Sequence, residues 1–150
     1  MAEAKKKVEA TKPTPEEKQA AAEAEVDALV ARAKKALVEF ENLDQKQVDR
    51  IVAKASIAAL NKHLVLAKMA VDETGGLVED KATKNIFACE HVTNYLAGQK
   101  TVGIIREDDV MGIDEVAEPV GVVAGVTPVT NPTSTAIFKS LIALKTRCPI

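Results

Sequence analysis

The stretch EPVGVVAGVTPVTNPTSTAIFKSL, from Glu118 to Leu141, decides the fold of this chain. It opens with the run VGVVAGV (120–126), which is apolar without polar alternation and is typical of a strand buried on both faces of a parallel sheet. Asn131 and Pro132 then signal the start of a helix, with Asn131 as the cap and Pro132 at the first helical position. A buried strand, a short turn and a helix form the first half of a βαβ unit, so we expect an α/β fold.

The turn between this strand and helix is rich in hydrogen-bond donors. Crevices at the carboxyl ends of parallel strands bind nucleotides in doubly wound folds. Free N–H groups at the helix start, and the hydroxyls of Thr130 and of residues 133–135, can donate to a phosphate, a ribose or a carbonyl oxygen. The stretch contains neither GxGxxG nor a Walker lysine pattern. The residues alone therefore leave open an ordinary capped turn and a ligand-binding turn.

Four helices are predicted upstream of this stretch. Thr14, Pro15 and Glu17 give a capping box for a long helix that runs to Phe40. Its apolar residues recur every three or four positions: Val26, Leu29, Val30, Ala33, Leu37 and Phe40. The second helix begins at another capping box, formed by Asp44 and Gln47. The third begins at about residue 62 and ends at Gly75 and Gly76, and the fourth begins at about residue 78 and ends at Gly98.

The periodicity changes after Gly98. The segments TVGIIRE and IDEVAEP are short and β-branched, and DDVMG separates them, which predicts a hairpin whose loop contains Gly112. The expected order is thus four helices, a β-hairpin, and the first strand and helix of a nucleotide-binding domain.

Length and composition are those of one globular domain. The 150 residues are 47% hydrophobic and carry a net charge of −2, so no overall field selects nucleic acid as a partner. From Val120 onward the chain has no acidic residue, whereas Lys139, Lys145 and Arg147 are basic. This local excess either favours an anionic ligand or marks a piece whose acidic neighbours are missing.

The N-terminal segment 1–13 is rich in Lys, Glu and Ala and is expected to be a flexible tail that precedes one incomplete domain, 14–150. It lacks the apolar region of a signal peptide. No segment approaches the roughly 18 consecutive apolar residues of a membrane helix. Cys89 and Cys148 form neither a disulfide framework nor a metal motif. We therefore expect a cytoplasmic protein without a metal site or a membrane partner.

Candidate nucleophiles and bases are few. Cys89 falls on the apolar face of the fourth helix and is interpreted as core, while Cys148 is an isolated thiol. His63 lies at a helix junction and His91 lies beside Glu90 on a helix, so both are interpreted as surface or packing residues. No carboxylate pair suggests acid–base chemistry.

A family resemblance adds to this interpretation. Glu118-Pro119-x-Gly121-Val122, followed by PVTNP (128–132), resembles the start of the nucleotide-binding region in the aldehyde dehydrogenase superfamily. The string NPTSTAIFKSLIALKTR is similar to the N-terminal part of bifunctional aldehyde-alcohol dehydrogenases. The resemblance spans about residues 22–150 and includes LAKMAVDETG and VEDKATKN. Cys148 departs from it, because close relatives usually have Asn there.

The resemblance implies a site at the turn. It places the wall of an NAD pocket on six consecutive residues, Val126, Thr127, Pro128, Val129, Thr130 and Asn131. In the broader superfamily the turn reads Pro-Trp-Asn-Phe-Pro, and its Asn helps to hold the substrate oxygen. Here the Asn falls one position later, at Asn131. Two roles for Asn131 remain open, a helix cap and a contact to the developing oxyanion.

The resemblance also implies an activity. The family's first domain is a CoA-acylating acetaldehyde dehydrogenase that uses NAD and coenzyme A in fermentative ethanol formation, and its second is an iron-dependent alcohol dehydrogenase. The substrates are then a small aldehyde and an acyl-CoA, and the long enzymes form homo-oligomers or filaments. The family's nucleophilic cysteine lies downstream of this segment. We therefore expect a truncated fragment that is inactive alone; the alternative is a non-catalytic helical interaction or oligomerisation module.

Overall fold

The computed structural model describes residues 14–150, so the predicted tail, 1–13, lies outside the described residues. The described residues divide into two compact units, one that ends at Arg32 and one that comprises 33–150, with the boundary inside the first helix. The helices are α1 (Pro15–Phe40), α2 (Gln45–Leu60), α3 (His63–Thr74), α4 (Val78–Ala97) and α5 (Pro132–Lys145). The strands are β1 (Gly103–Asp108) and β2 (Ile113–Ala117). The predicted order of helices and hairpin is confirmed, and the class is mixed α/β.

Both predicted capping boxes are formed. At the start of α1, the Thr14 N–H donates to the Glu17 carboxylate at 2.8 Å, and the Glu17 N–H donates to Thr14 Oγ1 at 3.2 Å. At the start of α2, the Gln47 N–H donates to Asp44 Oδ1 at 2.8 Å, and Gln47 Oε1 accepts from the Asp44 N–H at 2.9 Å. These reciprocal bonds satisfy N–H groups that have no partner within a helix, which is why the local sequence fixes both starts.

The hairpin follows the predicted pattern. Strands β1 and β2 are antiparallel, and Asp108 pairs with Ile113 beside the loop 109–112. Gly112 has a φ of 66°, a conformation that a side chain would disfavour. Arg106 donates to the Glu115 carboxylate at 3.0 Å across the two strands. The sheet described within residues 14–150 has these two strands.

The predicted buried strand at 120–126 is wrong for the described part of the chain. The segment does not form a strand. Within residues 14–150 its backbone makes one backbone–backbone hydrogen bond, from the Val123 N–H to the Pro149 carbonyl at 2.8 Å. Val120 is 87% exposed and Val126 is 79% exposed. A parallel strand needs neighbours for its ladder and cover for both faces, and residues 14–150 supply this single bond and partial cover. The apolar pattern indicates that the segment can form a buried strand, but a strand also needs a neighbouring strand to pair with.

The core lies where α4 packs against α2, α3 and α5. Its buried members come from three helices: Val48, Val52, Ala88, Cys89, Ile137 and Leu141. Most are small or medium-sized, which agrees with the 3% aromatic content and allows close helix approach. Cys89 is 0% exposed, which confirms that it is a core residue.

The sequence places two basic residues, Lys145 and Arg147, at the end of α5, where positive charge complements the helix dipole. Lys145 does lie in the last turn, but its side chain is buried and its Nζ binds the Asp49 carboxylate of α2. Arg147 lies beyond the helix with a φ of 58°. Its guanidinium donates to the Glu41 carbonyl, and to the Ala117 carbonyl at 3.0 Å. Both cations are therefore buried tertiary contacts, which helical periodicity does not reveal.

The Lys145 ion pair leads to a stability prediction. Asp49→Asn removes the charge that compensates a fully buried ammonium, so we expect the free energy of unfolding to fall by about 2 kcal/mol, below the usual cost because Asp49 is partly exposed. Lys145→Met removes the buried charge itself and should cost less. Urea unfolding followed by circular dichroism compares the variants. A larger loss in Lys145→Met than in Asp49→Asn would contradict this account.

Candidate functional site

Two lysines hold the turn 126–131 at its two ends. Lys139, on α5, donates from Nζ to the Val126 carbonyl at 2.6 Å. Lys81, on α4, donates from Nζ to the Thr130 carbonyl. The side chains between these points are exposed, and Val129 is 72% exposed. The turn is thus fixed through its backbone, while its side chains remain available for contact with a ligand.

Asn131 stands at the N-cap position of α5. Its carbonyl accepts from the Thr135 N–H at 3.1 Å, which begins the helix. Its side chain makes no capping hydrogen bond, so that part of the cap prediction is wrong. Nδ2 donates to Thr130 Oγ1 at 3.4 Å, and Oδ1 is buried without a hydrogen-bond partner. At a φ of −141° and a ψ of 59°, Asn131 makes no side-chain bond to the helix N–H groups, which leaves its Oδ1 unpaired and its Nδ2 with the single long contact to Thr130.

Asn85 supports the other side of this junction from α4. It is 0% exposed, and its Oδ1 accepts from Thr133 Oγ1 at 2.8 Å. Its Nδ2 donates to the His63 carbonyl at 2.9 Å. Neither Asn85 nor Lys81 is predicted as a site residue from the sequence. The available signal was their spacing: they are four residues apart, next to the apolar face that contains Ala82 and Cys89.

A cavity of about 420 Å³ lies between α4 and the start of α5. It is lined mainly by apolar atoms, and its lining residues are Lys84, Phe87, Ala88, Val92, Asn131, Ser134, Thr135 and Phe138. The first N–H groups of a helix have no partner within the helix, so the start of α5 brings donors to the same wall as Asn131. This arrangement suits a small molecule with an apolar body and one polar oxygen.

A second cavity, of about 370 Å³, lies between the segment 120–125 and α5. Cys148, Lys139 and Ile150 contribute to its predominantly apolar lining. None of the six residues predicted to bind the cofactor lines it. Of those six, Asn131 lines the first cavity and the other five form the exposed turn. Their assignment to a cofactor stays a prediction.

The thiols and imidazoles have local structural contacts. Burial, and secondarily the negative charge of Glu90, raise the pKa of the Cys89 thiol, which disfavours its nucleophilic thiolate form. Cys148 is buried, and its Sγ donates to the Thr146 carbonyl at 3.4 Å. His63 Nδ1 lies 2.7 Å from the Leu60 carbonyl, and His91 stacks on Phe87 with ring centroids 4.3 Å apart.

Between residues 14 and 150, no group of three or more His, Cys, Asp or Glu side chains is placed to hold a metal ion. The helices in this range also lack the combined length and apolarity that a bilayer crossing requires.

Comparison with known proteins connects this geometry to one family. The aldehyde dehydrogenase family profile matches residues 1–150. An aldehyde-alcohol dehydrogenase of Streptococcus pneumoniae is 66% identical over 138 residues, covering 91% of this chain and 16% of that protein. Aldehyde-alcohol dehydrogenase 2 of Entamoeba histolytica is 63% identical over 128 residues, covering 83% of this chain and 15% of that protein.

A solved structure shares the fold. The acetylating aldehyde dehydrogenase of Geobacillus thermoglucosidasius superposes with a TM-score of 0.82 at 49% identity, over 83% of this chain and 28% of that one. The chain therefore spans about one-sixth of the length of the curated relatives it matches and just over a quarter of the solved enzyme.

The two roles considered for Asn131 predict different stabilities. Because its side chain makes no capping bond, Asn131→Ala should change the free energy of unfolding by less than about 0.5 kcal/mol. Asp44→Ala is the matched control: it breaks a complete capping box and should cost about 1 kcal/mol. Denaturant unfolding of both variants checks the difference. An equal loss in the two variants would show that Asn131 acts as a cap.

Proposed function

Since the chain belongs to the aldehyde dehydrogenase family, we propose that it is the N-terminal part of a CoA-acylating acetaldehyde dehydrogenase. The proposed reaction of the whole enzyme converts acetyl-CoA, NADH and a proton into acetaldehyde, NAD and coenzyme A, as a step of fermentative ethanol formation. The names of the relatives support this class, since they include aldehyde-alcohol dehydrogenases and an acetylating aldehyde dehydrogenase. The observation that carries the proposal is the unpaired, buried Asn131 Oδ1 on the wall of the cavity between α4 and α5.

This cavity is proposed as the binding site for the acyl group or aldehyde. Phe87, Ala88 and Phe138 provide apolar walls for a short alkyl chain. The Asn131 side chain makes no capping bond, and its Nδ2 makes only the 3.4 Å contact to Thr130 Oγ1, so we propose that this amide exchanges that contact for one to the substrate oxygen as negative charge develops there. Rotation of the Asn131 amide about its Cβ–Cγ bond exchanges Oδ1 and Nδ2. In the rotated form the Nδ2 donor occupies the buried position that Oδ1 holds in the structure. Binding, orientation and oxyanion stabilisation are therefore the contributions proposed for this segment.

The turn 126–131 is proposed as one wall of the NAD pocket. Val126 and Val129 expose apolar surface, and Thr127 and Thr130 offer hydroxyls that suit a ribose or a phosphate. The two lysine contacts hold the backbone of the turn. These features fit a dinucleotide lying along the turn, and the cofactor, when bound, supplies hydride transfer.

Catalysis needs a thiolate that the described residues do not offer in reactive form. Cys89 is buried in the core, and Cys148 is buried beyond α5 with its Sγ donating to the Thr146 carbonyl. We therefore propose that the 150-residue chain is inactive alone and that the acyl-transfer cysteine belongs to the remainder of a complete enzyme. Iron is proposed only for an alcohol dehydrogenase domain of such an enzyme. Both cysteines are free, as is usual in the reducing cytoplasm, which is the proposed location.

The cofactor proposal predicts a binding result without turnover. NAD⁺ added to the isotopically labelled 150-residue chain should shift the NMR resonances of residues 126–131 in a saturable way. The same chain with acetyl-CoA and NADH should show no NADH oxidation at 340 nm. Perturbations confined to residues outside the turn would overturn the placement of the pocket, and CoA-dependent oxidation would overturn the assignment of the nucleophile to the absent remainder.

Association is a second candidate function, supported by the hairpin tip. Val110 is 94% exposed and Met111 is 69% exposed, and both lie in the loop that joins β1 to β2. Ile104, Ile113 and Val116 add exposed apolar surface on the strands. Ile104 pairs with Val116 across the two strands, and adjacent exposed apolar residues of this kind mark protein contacts when they form a large patch. We propose a second copy of the chain as the partner, as in an oligomeric enzyme.

The association proposal is tested by paired charge substitutions. Val110→Asp with Met111→Asp should shift the apparent mass in light scattering toward the monomer, since it charges the proposed contact. Val65→Asp with Met69→Asp is the matched control, because these α3 residues are similarly exposed, at 60% and 61%. An unchanged mass in the hairpin variant, or the same shift in the control, would contradict a specific contact at the hairpin.

A further inference from the structure

We propose that Lys81 is a positioning residue for the ligand-binding turn: it fixes the Thr130–Asn131 peptide and so directs the Asn131 N–H and side chain. The inference rests on the proposed function, because it assumes that the turn meets a ligand. Lys81 lies on α4, whereas the turn precedes α5. A single hydrogen bond, from Lys81 to the Thr130 carbonyl, connects this side chain to the turn.

Lys81 is buried in an unusual way for a lysine. It is 7% exposed, and within residues 14–150 none of the ion pairs includes it. Its hydrocarbon stem passes the backbone of Gly76, where an added Cβ would lie 3.5 Å from the Lys81 Cε. A buried ammonium is costly unless it is hydrogen-bonded, and the acceptor found here is the Thr130 carbonyl. The burial of this charge is thus coupled directly to the conformation of the turn.

The contact at the Thr130 carbonyl also sets the direction of the Asn131 N–H, because both groups belong to one planar peptide bond. In a trans peptide the C=O and the following N–H point to opposite sides of the same plane, and none of the described peptide bonds is cis. Binding the Thr130 carbonyl toward α4 therefore directs the Asn131 N–H away from α4. A cation on the carbonyl oxygen also polarises the amide, which strengthens its N–H as a donor.

A second contact from α4 fixes the other side of Asn131. Asn85 is one helical turn beyond Lys81, and it accepts from the Thr133 hydroxyl at 2.8 Å. The two α4 residues therefore hold positions 130 and 133, and Asn131 lies between them. The position of Asn131 therefore depends on α4, although none of the described hydrogen bonds joins the Asn131 side chain to that helix.

The experiment compares Lys81→Met, Lys81→Arg and the exposed-lysine control Lys54→Met in the labelled 150-residue chain. Without ligand, Lys81→Met should move the Thr130 carbonyl ¹³C resonance upfield and broaden the Asn131 amide resonance, while Lys81→Arg retains most of both signals. With NAD⁺ as the probe, Lys81→Met should weaken binding about tenfold, the effect of losing one charge-assisted hydrogen bond. Lys54→Met should leave all three readouts unchanged. Core resonances of Cys89 and Leu141 report whether each variant is folded.

The outcomes separate this inference from the proposed function. If NAD⁺ fails to shift residues 126–131 in the unsubstituted chain, the proposed function fails, while the ligand-free Thr130 and Asn131 signals still test the role of Lys81. If NAD⁺ binds equally well to Lys81→Met and the unsubstituted chain, the inference is overturned and the cofactor proposal stands. If Lys81→Met loses the core resonances, the result for Lys81→Arg tests the inference instead. Unfolding of Lys81→Arg, or a full loss of its Thr130 signal, also overturns the positioning role.

Discussion

The packing of α4 against α2, α3 and α5 is the constraint on which the rest of the described structure depends. Its apolar face buries Ala88 and Cys89 against residues of α2 and α5. Its polar residues Lys81 and Asn85 reach the junction at the start of α5. One helix therefore supplies both the core contacts and the support of the candidate site. A shift of α4 would move the cavity wall and the turn together.

The buried cations show how the segment after α5 is held. Lys145 binds Asp49 of α2, and Arg147 donates to carbonyls at Glu41 and Ala117. Charged groups in these positions need nearly complete hydrogen bonding to offset desolvation, and that requirement restricts where the chain can run. Arg147 accepts a φ of 58° at this point, and its Nε is buried without a partner. The cations thus fix the path of residues 146–150 next to α5 and the segment 120–126.

Local sequence signals predicted the helices and the hairpin well because each signal acts within a few residues. Capping boxes at Thr14 and Asp44, and glycines at positions 75 and 112, act through bonds or backbone angles that neighbouring residues determine. The strand at 120–126 was not predicted correctly, since strand formation depends on partners that are distant in sequence. For the candidate site, the sequence directed attention to Asn131 and the turn, but it did not identify Lys81, Asn85 or the cavity between α4 and α5.

By itself the sequence determined the positions of five helices, the hairpin and its turn, and, through its resemblance, the family to which the chain belongs. The tertiary structure decided that the Asn131 side chain does not cap α5 and that Lys81 and Lys139 hold the turn. It also decided that Lys145 and Arg147 are buried. The physical reason is range: caps and turns are satisfied by groups within about four residues, whereas the fate of a long cation or a free amide depends on acceptors brought close by folding.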